Sequence, residues 1–154
     1  MSGIVVVSGN PRPGSRTSVL ASAVGESLGG AATVVEVGAL GAGLLTPGDT
    51  ATAAAVTAVR QADLLVVATP TYKGSYTGVL KVLLDQLPAA ALAGKRAVPV
   101  VTAGVAPQAA AAAALLAQLL AELGAEVAPA LPVVEADLSE SAAIAEKYAA
   151  LHGG

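Results

Sequence analysis

Short runs rich in Val alternate along this chain with longer Ala/Leu segments, and that alternation restricts its possible folds more than any other feature. The opening run, "GIVVVSG" (3–9), is continuously β-branched, so it reads as a strand buried on both faces. Leu20, Ala23, Val24, Ser27 and Leu28 then recur at helical spacing, and Gly29-Gly30 supplies the stop. A strand over "ATVVEVG" (32–38) follows, then a helix over 50–62 with Asp49 or Thr50 as its cap. "DLLVVATP" (63–70) reads as a third strand stopped by Pro70; Tyr76, Leu80, Leu83, Leu84 and Leu87 mark the next helix face, which Pro88 closes. "KRAVPVVTAG" (95–104) reads as a fourth strand in which Pro99 requires an edge or bulge position. A long helix over 107–125 carries Pro107 in its first turn. An irregular fifth strand (126–136) and a last helix, capped by Ser139 and reaching about Leu151, complete the pattern.

This order predicts a single α/β domain over 1–154, a doubly wound parallel sheet with helices on both faces. A chain of 154 residues can enclose one continuous core, and 55% hydrophobic against 12% charged residues excludes disorder. With three Tyr and neither Phe nor Trp, packing must depend on close approach of small side chains. A net charge of -3 without a basic patch argues against a nucleic-acid partner, and the lack of Cys excludes disulfides and thiol catalysis. Neither a basic leader nor a bilayer-spanning run is legible, so no membrane association and a cytoplasmic location are expected.

Doubly wound sheets bind ligands at the carboxyl ends of their strands, where the strand order reverses. The loops to read are therefore "GNPRPGSRTS", "TPTYKGSYTG" and "TAGVAP". In the first, Asn10, Arg12, Ser15, Arg16, Thr17 and Ser18 crowd between a strand and a helix start, whose free amides favour a phosphate. Ser15 stands where a nucleoside-triphosphatase loop needs Lys, and no G-x-G-x-x-G follows the first strand, so a triphosphatase loop and a dinucleotide fingerprint are both disfavoured. A capped turn without a ligand is the alternative. The second loop sets Tyr72 where a planar aromatic ligand can lie, with the backbone of Thr71 to Gly74 along its polar edge. Tyr76 reads better as a core residue, and Lys73 suits an anion or solvent equally. In the third loop Gly104 lets backbone approach a ring. A phosphate end, a flat middle and a narrow backbone cleft together describe flavin mononucleotide (FMN).

"SGNPRPGSRTSVL" together with "ATPTYKGSYTGVLKVLLDQLP" and "PVVTAG" resembles the NADPH-dependent FMN reductase family of flavodoxin-like proteins, and within it the reductases that serve two-component alkanesulfonate monooxygenases. The resemblance implies a flavodoxin-like three-layer fold with a five-stranded parallel sheet of order 2-1-3-4-5. It also implies FMN and NADPH (or NADH) as cofactors, no catalytic side chain, and no metal. By that resemblance the phosphate meets Arg12, Ser15 and Thr17, with Ser18 alongside and Asn10 where the family carries Ser. Pro70, Thr71, Tyr72 and Lys73 match the segment bordering the isoalloxazine ring, and Ala103-Gly104 matches a Gly-Gly at its pyrimidine edge. The helix after that loop, "PQAAAAAALLAQLL", lacks the tyrosine of those relatives, which leaves open whether FMN cycles as a substrate or stays bound.

A flavin-dependent monooxygenase as partner, and a homodimer or homotetramer using the apolar excess of the 107–125 helix, are the associations implied. The rival readings share the cofactor: a bound-FMN quinone or azo reductase, a flavodoxin-type electron carrier, or a flavin-binding scaffold without turnover. Eleven acids against eight bases is mild for an electron carrier. His152 reads as a tail residue, Lys81 and Asp85 as a surface pair, and 38–49 as a connector or a cover over the nicotinamide.

Overall fold

Parallel pairing of the Val-rich runs builds the sheet. In the computed structural model, which describes residues 3–30 and 33–153, β1 (Ile4–Ser8) lies between β2 (Thr33–Glu36) and β3 (Leu64–Pro70), and β4 (Arg96–Ala103) continues beyond β3. Two short pieces share the next position: β5 (Glu126–Val127) pairs with the start of β4, and β6 (Leu131–Val134) with its end. The order is 2-1-3-4-5, all parallel, as expected, and the irregular fifth strand resolves into these two segments.

Pro99 explains the break. The carbonyls of Lys95 and Ala97 accept from the amides of Glu126 and Ala128, both at 2.8 Å, so odd-numbered residues here aim their backbone groups at the outer strand. Pro99 is next in that series and has no amide to offer. The outer ladders pair residues 96–97 and 100–103 of β4 and pass over it. The expectation of an edge or bulge is thus corrected: the proline sits in an interior strand, and its neighbour is interrupted instead.

Alternation along each strand divides the core into two faces. Val6, Val66, Ala68, Val98 and Val100 pack with Leu20, Ala21 and Val24 of α1 (Arg16–Gly29) and with Ala145 and Tyr148 of α6 (Ser141–His152). Val5, Val7, Leu65, Val67 and Val101 point the other way. They meet Ala55 and Val59, Leu80 and Leu83, and Leu116 and Leu120. Those residues belong respectively to α3 (Thr50–Gln61), α4 (Gly78–Leu84) and α5 (Ala106–Glu122), and α2 (Val37–Leu40) precedes α3. The central strands are covered on both faces, which is why they read as continuous apolar runs.

Several boundaries differ from expectation for local reasons. The glycine-rich 38–49 stretch is wound into α2 and a 3₁₀ turn over Gly41–Leu45, and the Leu44 carbonyl accepts from Gln86 Nε2 at 3.0 Å. Tyr76 precedes α4 rather than opening it, because Thr77 caps the helix by accepting from the Leu80 amide at 3.2 Å. Ser139 is not a helix cap; it lies within a 3₁₀ turn over Glu135–Glu140, and α6 starts at Ser141, whose hydroxyl donates to the Leu138 carbonyl. Lys81 and Asp85 do form an exposed pair at 2.7 Å.

Asp49 caps α3 as expected, its Oδ2 accepting from the amide and the hydroxyl of Thr52 at 2.9 and 2.8 Å. Those bonds hold its carboxyl below the ordinary value of 3.8. A carboxylate with a lowered folded pKa stabilises above the unfolded pKa and loses that contribution as pH falls through the folded one. Asp49→Ala is therefore expected to lower the thermal midpoint by about 2–4 °C at neutral pH. In a pH series of melting curves, the gap to the parent protein should narrow in the acid range; a gap independent of pH there contradicts the assignment.

Candidate functional site

The strand order reverses between β1 and β3, and the loops leaving those strands diverge to open a crevice at their carboxyl ends. A cleft of about 130 Å³ occupies it, lined by Asn10, Arg12, Ser15, Arg16 and Thr17 from the first loop, Pro70 and Tyr72 from the third strand's end, Thr102 of β4, and Glu135 and Leu138 beyond β6.

The first loop is shaped before any ligand arrives. Asn10 is buried; its Oδ1 accepts from the Arg12 amide at 2.9 Å, closing a tight Asx turn. Pro11 and Pro13 have no amide, so the backbone donors concentrate where α1 begins. Ser15 caps α1, accepting from the Ser18 amide at 3.2 Å, while the amides of Arg16 and Thr17 in the first turn have no intrahelical acceptor. The start of α1 and the residues Asn10, Arg12, Ser15, Arg16 and Thr17, with their amide, hydroxyl and guanidinium groups, thus border one small cleft. That donor set suits a phosphomonoester.

Hydrogen bonds between buried side chains fix the three loops relative to one another. Asn10 Nδ2 donates to Thr17 Oγ1 at 3.5 Å, and Thr17 Oγ1 lies 3.2 Å from Thr102 Oγ1. Thr71 Oγ1 donates to the Thr102 carbonyl at 3.0 Å. On the far side Thr77 Oγ1 donates to the Gly9 carbonyl at 2.6 Å, and the Thr77 amide donates to Thr69 Oγ1 at 3.1 Å. The ends of β1, β3 and β4 are therefore held by side chains as well as by the sheet.

The Tyr72 segment is a two-residue hairpin: Tyr72 and Ser75 exchange both backbone hydrogen bonds, and Lys73 and Gly74 adopt φ of 53° and 81°. This turn spends the Tyr72 amide and carbonyl on Ser75 and leaves the tyrosine half-exposed on the rim. The cleft is far smaller than the roughly 300–1,000 Å³ that enclose a drug-sized ligand. An aromatic ring attached to a phosphate held here must lie outside the cleft, along the rim that Tyr72 forms.

Of the residues expected from sequence, Asn10, Arg12, Ser15, Thr17, Pro70 and Tyr72 come together at the cleft. Ser18 lies behind it, its hydroxyl within 2.6 Å of Ser8 Oγ and donating to Glu36 Oε1 at 2.8 Å. Thr71 faces Thr102, Lys73 is in the hairpin turn, Ala103 is buried at the end of β4, and Gly104 adjoins Glu135. Three residues escaped the sequence reading. Thr102 completes the hydroxyl chain. Glu36, at the end of β2, holds the loop from behind by accepting from the Gly14 amide at 2.8 Å. Glu135 reaches Arg16 Nη2 at 3.5 Å across the cleft. The only local signal was that both carboxylates end an apolar run, and their partners lie on other strands.

Close packing also constrains the loop. A side chain at Gly38 would meet the Pro11 carbonyl and lie 2.7 Å from the Asn10 carbonyl oxygen, so α2 touches the first loop only because position 38 lacks a Cβ. Three larger depressions lie elsewhere. One of about 540 Å³ is flanked by Asp49 and Asp85, which repel an anion, one of about 470 Å³ lies between β6 and α6, and one of about 420 Å³ runs along α1 beside the carboxylates of Glu26 and Glu36. Among the described residues no helix is long and apolar enough to cross a membrane.

Known proteins resemble this chain in sequence and in fold. The family model described as NADPH-dependent FMN reductase matches residues 3–137. A 46-residue segment, 30% of the chain, is 56% identical to an FMN reductase (NADPH) of Escherichia coli (strain K12), and the match spans only 24% of that protein. Over 99% of the chain and 90% of its own length, a solved NADH:FMN oxidoreductase superposes with a TM-score of 0.82 at 32% identity. A flavodoxin of Streptococcus pneumoniae TIGR4, 21% identical over 97% of this chain and 98% of its own, shares the fold with a TM-score of 0.62.

Thr17 is the joint of the hydroxyl chain, and its removal leaves Asn10 Nδ2 and Thr102 Oγ1 without their partner. Thr17→Val is expected to lower the unfolding free energy by about 1–3 kcal/mol in urea titrations, whereas Thr17→Ser retains most of it. Equal stability of the Val variant and the parent would show that the chain does not hold the loops.

Proposed function

The chain belongs to the NADPH-dependent FMN reductase family, and from that premise we propose that it is a flavin reductase that passes hydride from NADPH or NADH to FMN. The observation that carries the reading is the cleft at the end of β1, lined by a helix start and by Arg12, Ser15, Arg16 and Thr17, beside a half-exposed tyrosine. Similarity to a solved NADH:FMN oxidoreductase, 32% identical over 99% of the chain, supports it.

When both are bound, the nicotinamide supplies the hydride and the flavin accepts it, so the cofactors carry the chemistry. The chain's own work is placement. Arg12, Ser15, Thr17 and the amides of Arg16 and Thr17 hold the phosphate, with Asn10 steadying the loop. Pro70, Thr71, Tyr72 and Lys73 border the ring, and Ala103 and Gly104 lie by the β4 end of the crevice. Ser18 acts from behind through Glu36. Amides fixed at the helix start need no reorganisation to receive the phosphate, so they hold the flavin in place for the hydride. Because the cleft takes the phosphate and leaves the ring on the rim, one ring face stays open to the nicotinamide.

The finer reading includes one FMN-binding domain over 1–154, delivery of reduced FMN to a flavin-dependent monooxygenase, and a homodimer or homotetramer. For self-association the support is apolar surface on α5, where Leu115 is 41% exposed. A bound-flavin quinone or azo reductase is the outcome to separate. NADPH and NADH oxidation by the purified protein should depend on added free FMN; oxidation that needs only another acceptor, with flavin retained through purification, would identify the bound-flavin enzyme.

Arg12→Ala is expected to weaken FMN binding roughly 10- to 100-fold, the worth of a charge-assisted bond, and to leave riboflavin binding within about twofold. Fluorescence quenching of the two flavins measures both. Equal loss for riboflavin, or none for FMN, would remove the phosphate from this loop.

A further inference from the structure

A carboxylate stands in a cleft built for an anion. Glu135 lines the same space as Arg12, Ser15 and Thr17, and its Oε2 lies 3.5 Å from Arg16 Nη2. The position follows from the fold: Val134 pairs with Ala103, so the next residue is delivered beside Gly104, at the mouth of the crevice. A Cβ added at Gly104 would lie 3.4 Å from Glu135 Oε1, so the carboxylate occupies the room beside that glycine. Both side chains of the pair are exposed, 68% for Arg16 and 52% for Glu135. Such a pair is weakly held, and a phosphomonoester of nearly two negative charges competes for the same guanidinium.

We propose that Glu135 sets how loosely FMN is held: it pairs with Arg16 in the empty cleft, yields Arg16 to the phosphate, and then repels the phosphate from close range. The inference rests on the FMN reading and deepens it. A pocket with two arginines and two hydroxyls would retain a phosphate tightly; the opposing carboxylate cancels part of that field and speeds release. The protein is thereby suited to flavin as an exchanging substrate rather than a resident group. The side chain can turn toward solvent, where water and salt screen it, so the effect is several-fold rather than thousands.

The test is a set of four proteins, the parent, Glu135→Gln, Arg16→Gln and the double variant, each titrated with FMN and with riboflavin by fluorescence quenching at low and high salt. Glu135→Gln is expected to bind FMN about 3- to 10-fold tighter and release it correspondingly slower in stopped flow. Riboflavin affinity should stay within about twofold, and the FMN gain should shrink at high salt and in the Arg16→Gln background. Unchanged FMN affinity overturns the proposal. So does a parallel weakening of FMN and riboflavin, which would make Glu135 a partner of the sugar chain. A parent protein that binds no FMN overturns the functional reading and this proposal with it; a parent that binds FMN beside an unresponsive Glu135→Gln overturns only the latter.

Discussion

The hydroxyl chain from Asn10 through Thr17 to Thr102 is the constraint on which the site depends. Parallel strands fix the heights at which their loops leave the sheet, yet not the separation or tilt of those loops. Here buried side chains set both. Asn10 belongs to the first loop, Thr17 to the helix it feeds and Thr102 to a strand two positions away, and each is almost fully buried. Unmet hydrogen bonds at such depth are costly, so the loops keep the one arrangement that satisfies all three. Thr77 adds a second tie by donating to the Gly9 carbonyl from the α4 cap. The cleft is thus prepared before it is filled.

In the proposed function, preparation and looseness come from different groups of this crevice. The rigid part is neutral: amides, hydroxyls and an asparagine, anchored from behind by Glu36. The charged part is exposed: Arg12, Arg16 and Glu135, whose interactions water screens. In that proposed function, shape selects a phosphate through the first set, and the second tunes how long it stays. The same reading has the small cleft keep a flat ring from following its phosphate inward, leaving it along the Tyr72 rim.

How much of this could be read from the chain depended on how local the cause was. Continuous Val runs named the buried strands because both faces are covered, and Asp49 named its cap because the accepting and donating groups are three residues apart. The strand order 2-1-3-4-5 came with the flavodoxin-like resemblance. That the first-loop residues gather at one cleft was legible because proline, glycine and hydroxyl groups there crowd between a strand and a helix start. What escaped was settled by distant partners. Pro99 looked unfit for an interior strand, and its place follows from a break in a neighbour about thirty residues later. Ser139 looked like a cap, but the chain spends another 3₁₀ turn on burying Leu138 before α6 begins. Ser18 looked like a ligand group because it is adjacent to Thr17, yet helix rotation points it at Ser8 and Glu36. Glu36, Thr102 and Glu135 carry no local signature at all, since register across the sheet brings them to the loop.

A structure of the protein with FMN bound tests the central claim most directly, through the position of the phosphorus atom. The account predicts a phosphate seated at the start of α1, bonded to the amides of Arg16 and Thr17, the hydroxyls of Ser15 and Thr17 and the Arg12 guanidinium, with the ring on the Tyr72 rim. A phosphate found in any of the three larger depressions, or a flavin whose ring rather than phosphate enters the cleft, would contradict it.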